Sequence, residues 1–322
     1  MCVRRCVITV GDLGEFGVVA RISGRLPQSA AVLLGPGDDA AMVSAPDGRV
    51  VVSTDLLIEG RHFRRDWSSG YDVGRKAAAQ NLADIAAMGA VPTSIVVGLG
   101  IPADLPLAWL DALTDGFGDE CAVVGASVAG GDITRCELVV IGVTALGDLG
   151  GRAPVTRSGA RPGQVVAVAG RLGYSAAGQA LLEAGVPVAA DELARAVAGH
   201  RQPRPPYACG PEAARLGAVA MLDVSDGLLQ DLGHVAKASG VRIELDPRAL
   251  EVAEPVAAAG KELGADPLDW ILTGGEDHAL AAVFPAQVAL PPSWLVVGRV
   301  VAGEGVHVAG RAAGPGGWDH FR

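Results

Sequence analysis

Aromatic side chains are scarce in this 322-residue chain, at 4% of the total, and its apolar half is mostly Ala and Val. Long charge runs and low-complexity tracts are absent, so disorder is not expected outside the two ends. The five cysteines (Cys2, Cys6, Cys121, Cys136, Cys209) form no CxxC pair and no His cluster accompanies them. A disulfide framework is out of place in a chain with this much core, so they read as reduced thiols of a cytoplasmic protein. No basic excess exists either. The net charge of −10 argues against a nucleic-acid surface. An acidic pocket still binds a nucleotide when divalent cations stand between carboxylates and phosphates.

Membrane signals are also missing. The uncharged stretch 85–103 is broken by Gly89, Pro92, Gly98, Gly100 and Pro102, whereas a spanning helix needs about 20 continuous apolar residues. It reads as a helix end, a turn and a buried strand. The N-terminal MCVRRCVITVGD holds too short an apolar run for a signal peptide. GxxxxGK[ST], GxGxxG, HRD, GxSxG and HExxH motifs are all absent. Bound ATP would therefore be held by metals and glycine-turn backbone, without a Walker lysine.

Two α/β domains are expected from the length and from alternating strand and helix patterns. The boundary falls in the Gly/Pro-dense GDLGGRAPVTRSGARPG, dividing the chain into 1–150 and 151–322. In the first half, helices are expected over 15–25, 73–88 (capped by Asp72) and 107–120. Strands are expected over 40–44, 49–54, 94–99, 122–128 and 138–145. The second half reads as strands 164–169, 219–223, 242–245, 279–283 and 295–300, with helices 175–183 and 227–239.

What the sequence does carry is acid at strand ends and glycine turns. These residues are Asp38-Asp39 in GPGDDA, Asp55 in VVSTDLL, Asp84 in NLADIAAMGA, Asp132 in AGGDITR, Asp223 and Asp226 in LDVSDGL, and Glu276-Asp277 in LTGGEDH. Each alone is an ordinary turn or cap residue. Together they repel one another unless a cation neutralises them, and Mg²⁺ takes oxygen ligands shared with substrate phosphates. Asn81 and Asp84 lie on one helix face beside Ala78, Leu82 and Ile85, bordering the buried stripe. A carboxylate there needs a partner, either a cation or a hydrogen-bonding loop. LDVSDGLLQDLGHVAKASG is a strand, a tight turn and an amphipathic helix. Its N–H groups and Ser225 favour a phosphate, and Asp223 and Asp226 would bring metal to it. Asp231, on the opposite face, is expected to be solvated.

Taken in order, GDDAA (37–41), STDLLIEGRHF (53–63), NLADIAAMGAVP (81–92), GGDITR (130–135), TRSGARPG (156–163), DVSDGLLQDLGHVAKAS (223–239), TGGEDHAL (273–280) and GWDHF (317–321) resemble the thiamine-monophosphate kinase family. The resemblance implies transfer of the ATP γ-phosphoryl group to thiamine monophosphate, giving thiamine diphosphate and ADP. It implies the two-domain α/β fold of aminoimidazole ribonucleotide synthetase, with the N-terminal domain contributing to a dimer barrel and ATP in a cleft between domains. It places Mg²⁺ ligands at Asp39, Ser53, Thr54, Asp55, Asp84, Asp132, Asp223 and Asp226. Nucleotide contacts fall at Gly131, Asp132, Arg157 and Ser225, and substrate contacts at His62, Glu276 and Trp318. Asp84, Asp132 and Asp223 are the implied catalytic set, and a homodimer the implied assembly. Trp318 would offer an aromatic face, and Glu276 a counter-charge, to a cationic thiazolium.

Two departures stand out. His278-Ala279 replace the usual Tyr-Glu after GGED, and the first dozen residues precede the family's usual start. Selenophosphate synthetase is the nearest alternative within the fold, but it would want a reactive Cys in a glycine-rich N-terminal segment. Aminoimidazole ribonucleotide synthetase lacks the STD…EGRHF and GWDHF combination. From another class, a nucleotide-binding regulatory protein without catalysis is disfavoured by the retained acids.

Overall fold

The computed structural model describes residues 8–35, 41–188 and 190–311. It separates into two compact units, 1–81 with 92–148, and 82–91 with 149–322. The short segment 82–91 thus leaves its sequence neighbours and packs with the C-terminal unit.

The first unit opens with α1 (Val10–Ser23), followed by the short antiparallel pair β1 (Val32–Leu34) and β2 (Met42–Val43). Its main sheet contains β3 (Val51–Ile58), β4 (Val91–Ile101), β5 (Ser127–Arg135) and β6 (Val140–Asp148) in the order β3-β6-β4-β5. Strands β3 and β6 are antiparallel, while β4 and β5 are parallel. Two helices accompany the sheet, α2 (Gly70–Ala87) and α3 (Leu107–Val124).

Helix α2 starts one turn earlier than the sequence reading, and its cap is Ser69. The Asp72 N–H donates to Ser69 Oγ (3.2 Å), while Asp72 Oδ2 accepts the Ser69 N–H and hydroxyl (2.8 Å each). That reciprocal exchange is a capping box. The expected strand 122–128 is instead the end of α3 and the start of β5. The β-branched Val123 and Val124 complete the last helical turn, and Gly125, at φ +72°, ends it.

The second unit holds a six-stranded sheet ordered β12-β9-β11-β7-β10-β8. Its strands are β7 (Val165–Ala169), β8 (Ala220–Val224), β9 (Arg242–Leu245), β10 (Ala279–Phe284), β11 (Leu295–Val301) and β12 (Gly305–Val308). Every residue of β8 and β10 is buried. Around them lie α4 (Tyr174–Glu183), α5 (Asp191–Arg201), α6 (Cys209–Leu216), α7 (Leu228–Ser239), α8 (Glu254–Leu263) and α9 (Pro267–Thr273). Leu228, Leu232, Val235 and Ala236 of α7 enter the main core with Ile243, Leu245 and Val256. A smaller cluster joins Met221, Leu280, Phe284 and Trp294 to Ala87, so the end of α2 is held by this unit's own core. No helix among the described residues is long and apolar enough to cross a membrane.

Candidate functional site

In the second unit, two loops come together because β8 and β10 are antiparallel neighbours, with Asp223 opposite Leu280 and Val224 opposite Ala279. The loop leaving β8 (Val-Ser-Asp-Gly) and the loop entering β10 (Gly-Gly-Glu-Asp-His) therefore emerge at one end of the sheet. The Glu276 N–H donates to the Ser225 carbonyl (2.8 Å), and the His278 N–H donates to the Val224 carbonyl (3.1 Å). Glycine is required at this junction. A Cβ on Gly275 would fall 2.2 Å from the Ser225 oxygen, and one on Gly227 would fall 2.6 Å from the Thr273 oxygen. Glu276 and His278 hold positive φ values of +63° and +52°, the left-handed region that non-glycine residues rarely occupy.

The acids of these loops are crowded. Asp223 is buried and lies 3.0 Å, through Oδ2, from Nδ1 of the buried His278. His278 Nε2 is buried without a hydrogen-bond partner among the described residues. Burial pushes the His278 pKa down. The Asp223 hydrogen bond and the charges of Asp223, Asp84 and Glu276 outweigh it, so the net direction is upward. Asp84, in the second unit's share of α2, therefore belongs electrostatically with Asp223 and Glu276.

Asp231 corrects the sequence reading: it is buried, not solvated. Its Oδ2 accepts the N–H groups of Asp226 and Gly227 (3.0 Å each) and pins the turn before α7. Burial raises its pKa to about 7, with the charges of Asp223 and Asp226 adding to the rise against those N–H bonds. Asp277 is likewise driven to about 7 by burial, despite the N–H groups of Ser175 and Gly173.

Sequence reasoning missed the second half of this cluster. Ser175, at the start of α4, donates its N–H to Asp277 Oδ1 (2.9 Å) and its hydroxyl to Glu276 Oε2 (3.4 Å). The same hydroxyl lies 3.0 Å from Nδ1 of His200 in α5. Ser175 and His200 are isolated polar residues on helices, so no local pattern marked them. Of the remaining expected contacts in this unit, Ser225 and Asp226 sit half-buried in the turn, and Arg157 is exposed. The Arg157 carbonyl accepts the Ser239 hydroxyl (3.4 Å).

The first unit places its candidates on the sheet and the following loop. Asn81, buried on α2, accepts the Asp55 N–H (3.0 Å) and donates to the Ala77 carbonyl (2.9 Å). It thereby ties the helix to β3 beside Ser53 and Thr54. The Thr54 hydroxyl donates to the Val143 carbonyl (2.9 Å). His62 Nδ1 accepts the Ile58 N–H (3.0 Å), which leaves Nε2 as the protonated nitrogen of the neutral ring. The buried Lys76 ammonium donates to the His62 carbonyl (3.0 Å).

Gly131 and the exposed Asp132 are on β5, where a Cβ on Gly131 would meet the Val97 oxygen at 2.1 Å. Strands β3 and β5 are opposite edges of the sheet. Two strands, β6 and β4, lie between the strands that carry Asp55 and Asp132. Asp38, Asp39 and Trp318 lie outside the described residues.

The donor chemistry suits Mg²⁺. Hard carboxylate oxygens at Asp84, Asp223 and Asp226 are close enough to shift neighbouring pKa values. Among the described residues no three His, Cys, Asp or Glu side chains already converge as a metal-binding group. Mg²⁺ commonly completes its octahedron with water and substrate phosphate, so one or two protein carboxylates per ion suffice.

Comparison with known proteins joins these features to a family. Residues 37–149 match the family described as AIR synthase related protein, N-terminal domain. The chain is 53% identical to the thiamine-monophosphate kinase of Mycobacterium tuberculosis (strain H37Rv) over 316 residues, covering 97% of this chain and 93% of that one. Among solved structures, the thiamine-monophosphate kinase of Stenotrophomonas maltophilia K279a superposes with a TM-score of 0.82 at 33% identity, covering 94% of this chain and 98% of that one. AaThiL complexed with AMPPCP and TMP superposes with a TM-score of 0.80 at 29% identity, covering 98% of this chain and 100% of that one. On this end-to-end similarity, the chain belongs to the thiamine-monophosphate kinase family.

Proposed function

We propose that this protein transfers the γ-phosphoryl group of ATP to thiamine monophosphate, yielding thiamine diphosphate and ADP. In a chain of this family, the observation that carries the reading is the interlocked loop pair. It sets Asp223 and Asp226 beside the substrate candidate Glu276, with Asp84 in electrostatic reach.

The reaction needs little covalent chemistry from the protein. The acceptor phosphate is nucleophilic once ionised, so the donor γ-phosphorus is attacked directly and in line, with ADP departing and no phosphoenzyme formed. The protein's part is to align the two phosphates and offset their charge. Asp84, Asp223 and Asp226 in one unit, and Ser53, Thr54, Asp55 and Asp132 in the other, would hold Mg²⁺, as would Asp39. Bound Mg²⁺ would neutralise phosphate charge during transfer. The Ser225 hydroxyl would hydrogen-bond phosphate oxygen, with Gly131, Asp132 and Arg157 as further nucleotide contacts. Glu276, His62 and Trp318 would receive the organic part of thiamine monophosphate.

A homodimer formed through the first unit's sheet is part of the same reading. Val52 and Leu56 on β3 are 62% and 58% exposed, and Val96 on β4 is 38% exposed. The register sets Val52 opposite Leu146 and Leu56 opposite Gly142, with the Thr54–Thr144 pair between them, which makes a partly apolar face beside a strand edge. A cytoplasmic setting accords with the free thiols of Cys121, Cys136 and Cys209.

Steady-state kinetics of Asp84→Asn and Asp223→Asn test the site. Both variants should fold normally and lose at least tenfold in kcat, since each removes a charge from the proposed phosphate-metal cluster. Wild-type turnover in both would overturn the assignment.

A further inference from the structure

Glu276 occupies an unfavourable backbone conformation, and its side chain is 31% exposed. A carboxylate in that state would ordinarily sample several rotamers. Here its inner oxygen is engaged from behind by two side chains from different helices. The Ser175 hydroxyl donates to Glu276 Oε2 at 3.4 Å, and His200 Nδ1 stands 3.0 Å from the Ser175 oxygen and 3.6 Å from the same Glu276 oxygen. With His200 in the Nδ1–H tautomer the donors would run in one direction, from imidazole to hydroxyl to carboxylate, and such a chain is mutually polarising. Ser175 also holds the next residue, since its N–H donates to Asp277 Oδ1 at 2.9 Å. One residue at the start of α4 thus grips both acids of the Gly-Gly-Glu-Asp-His loop.

The support behind Ser175 is closely packed. Helices α4 and α5 approach closely: a Cβ on Gly178 would fall 2.3 Å from the Ala196 oxygen, and one on Gly199 would fall 2.8 Å from the Tyr174 Cβ. Ser175 and His200 are both buried, and they meet at this crossing. A larger residue at either glycine would push the helices apart.

We infer that Ser175 and His200 are positioning residues for Glu276, fixing the direction in which its carboxylate meets the cationic ring of the acceptor. This rests on the reading of Glu276 as a thiamine-monophosphate contact. Their effect belongs to acceptor binding; the phosphate-metal cluster and ATP are not their concern.

The test is steady-state kinetics of the full-length protein with ATP and thiamine monophosphate varied separately. The variants are Ser175→Ala, Ser175→Thr, His200→Phe, His200→Asn, Glu276→Ala and the Ser175→Ala/Glu276→Ala pair, with melting temperature recorded for each. Losing one hydrogen bond to a charged group should raise KM for thiamine monophosphate about 3- to 10-fold in Ser175→Ala, with KM for ATP and kcat changed less than about twofold. Ser175→Thr keeps the hydroxyl and His200→Asn keeps a donor near the Nδ1 position, so both should stay near wild type while His200→Phe follows Ser175→Ala. In the Glu276→Ala background, Ser175→Ala should add nothing to KM.

A normal KM for thiamine monophosphate in Glu276→Ala would overturn the substrate reading of Glu276 and this inference with it. A raised KM in Glu276→Ala alongside a normal KM in folded Ser175→Ala would overturn the inference alone. So would a Ser175→Ala effect of equal size in the Glu276→Ala background. If His200→Phe fails to fold, the serine variants decide the matter.

Discussion

Asp231 is where structure and charge can be separated by one substitution. Its buried carboxylate accepts two amide hydrogens of the Val-Ser-Asp-Gly turn, yet it lies beside Asp223 and Asp226, and its pKa is about 7 against an ordinary 3.8. The folded state therefore binds a proton that the unfolded chain releases. Stability supplied by that proton is fully present below the unfolded pKa, falls as pH rises from about 4, and is gone above about 7. Linkage between these two values gives a loss on the order of 2–3 kcal/mol between pH 5 and pH 8. Asp231→Asn keeps an acceptor oxygen and removes the charge, so this pH-dependent component should vanish. Asp231→Ala removes the acceptor as well, leaving two amides unsatisfied at a cost of about 1–3 kcal/mol each.

Peptide-resolved hydrogen exchange over residues 223–239, with EDTA present, reads the effect locally. Protection relative to Asp231→Asn should drop between pH 5 and pH 8, and Asp231→Ala should exchange faster than Asp231→Asn at pH 5. Identical exchange in the two variants, or an unchanged pH response in Asp231→Asn, would refute the reasoning.

Further outcomes follow from the same geometry. Gly275→Ala places a Cβ 2.2 Å from the Ser225 oxygen and must part the two loops; kcat should fall on the order of 10²-fold, and wild-type kinetics would show that the loops need not touch. Burial pushes the Cys121 thiol up to about 12, so native protein at pH 8 should leave Cys121 unmodified by iodoacetamide, as mapped by peptide mass. Rapid labelling without unfolding would contradict that burial. Leu56→Asp puts a charge on the exposed, partly apolar sheet face and should shift sedimentation from dimer to monomer; an unchanged dimer would move the interface elsewhere.

The sequence revealed some of this molecule more readily than the rest, for physical reasons. Helix α7 was legible because Leu228, Leu232, Val235 and Ala236 repeat at helical spacing and Gly240 ends the run. Helices α5, α6, α8 and α9 were not read, since their order comes from packing on the larger core. The end of α3 was mistaken for strand because Val123 and Val124 carry β propensity, which tertiary context overrides. At the site, the acids announced themselves through their glycine turns. Asp231 did not, because its amide partners belong to a turn that folds back over the helix start. Ser175, His200 and Glu276 come from three separate elements, and only the fold puts them together.

The most direct measurement is product formation by the purified full-length protein with ATP, Mg²⁺ and thiamine monophosphate, following ADP and thiamine diphosphate by chromatography. The account predicts the two products in equal amounts, with no turnover when thiamine monophosphate is omitted. ATP binding without thiamine diphosphate formation would contradict it.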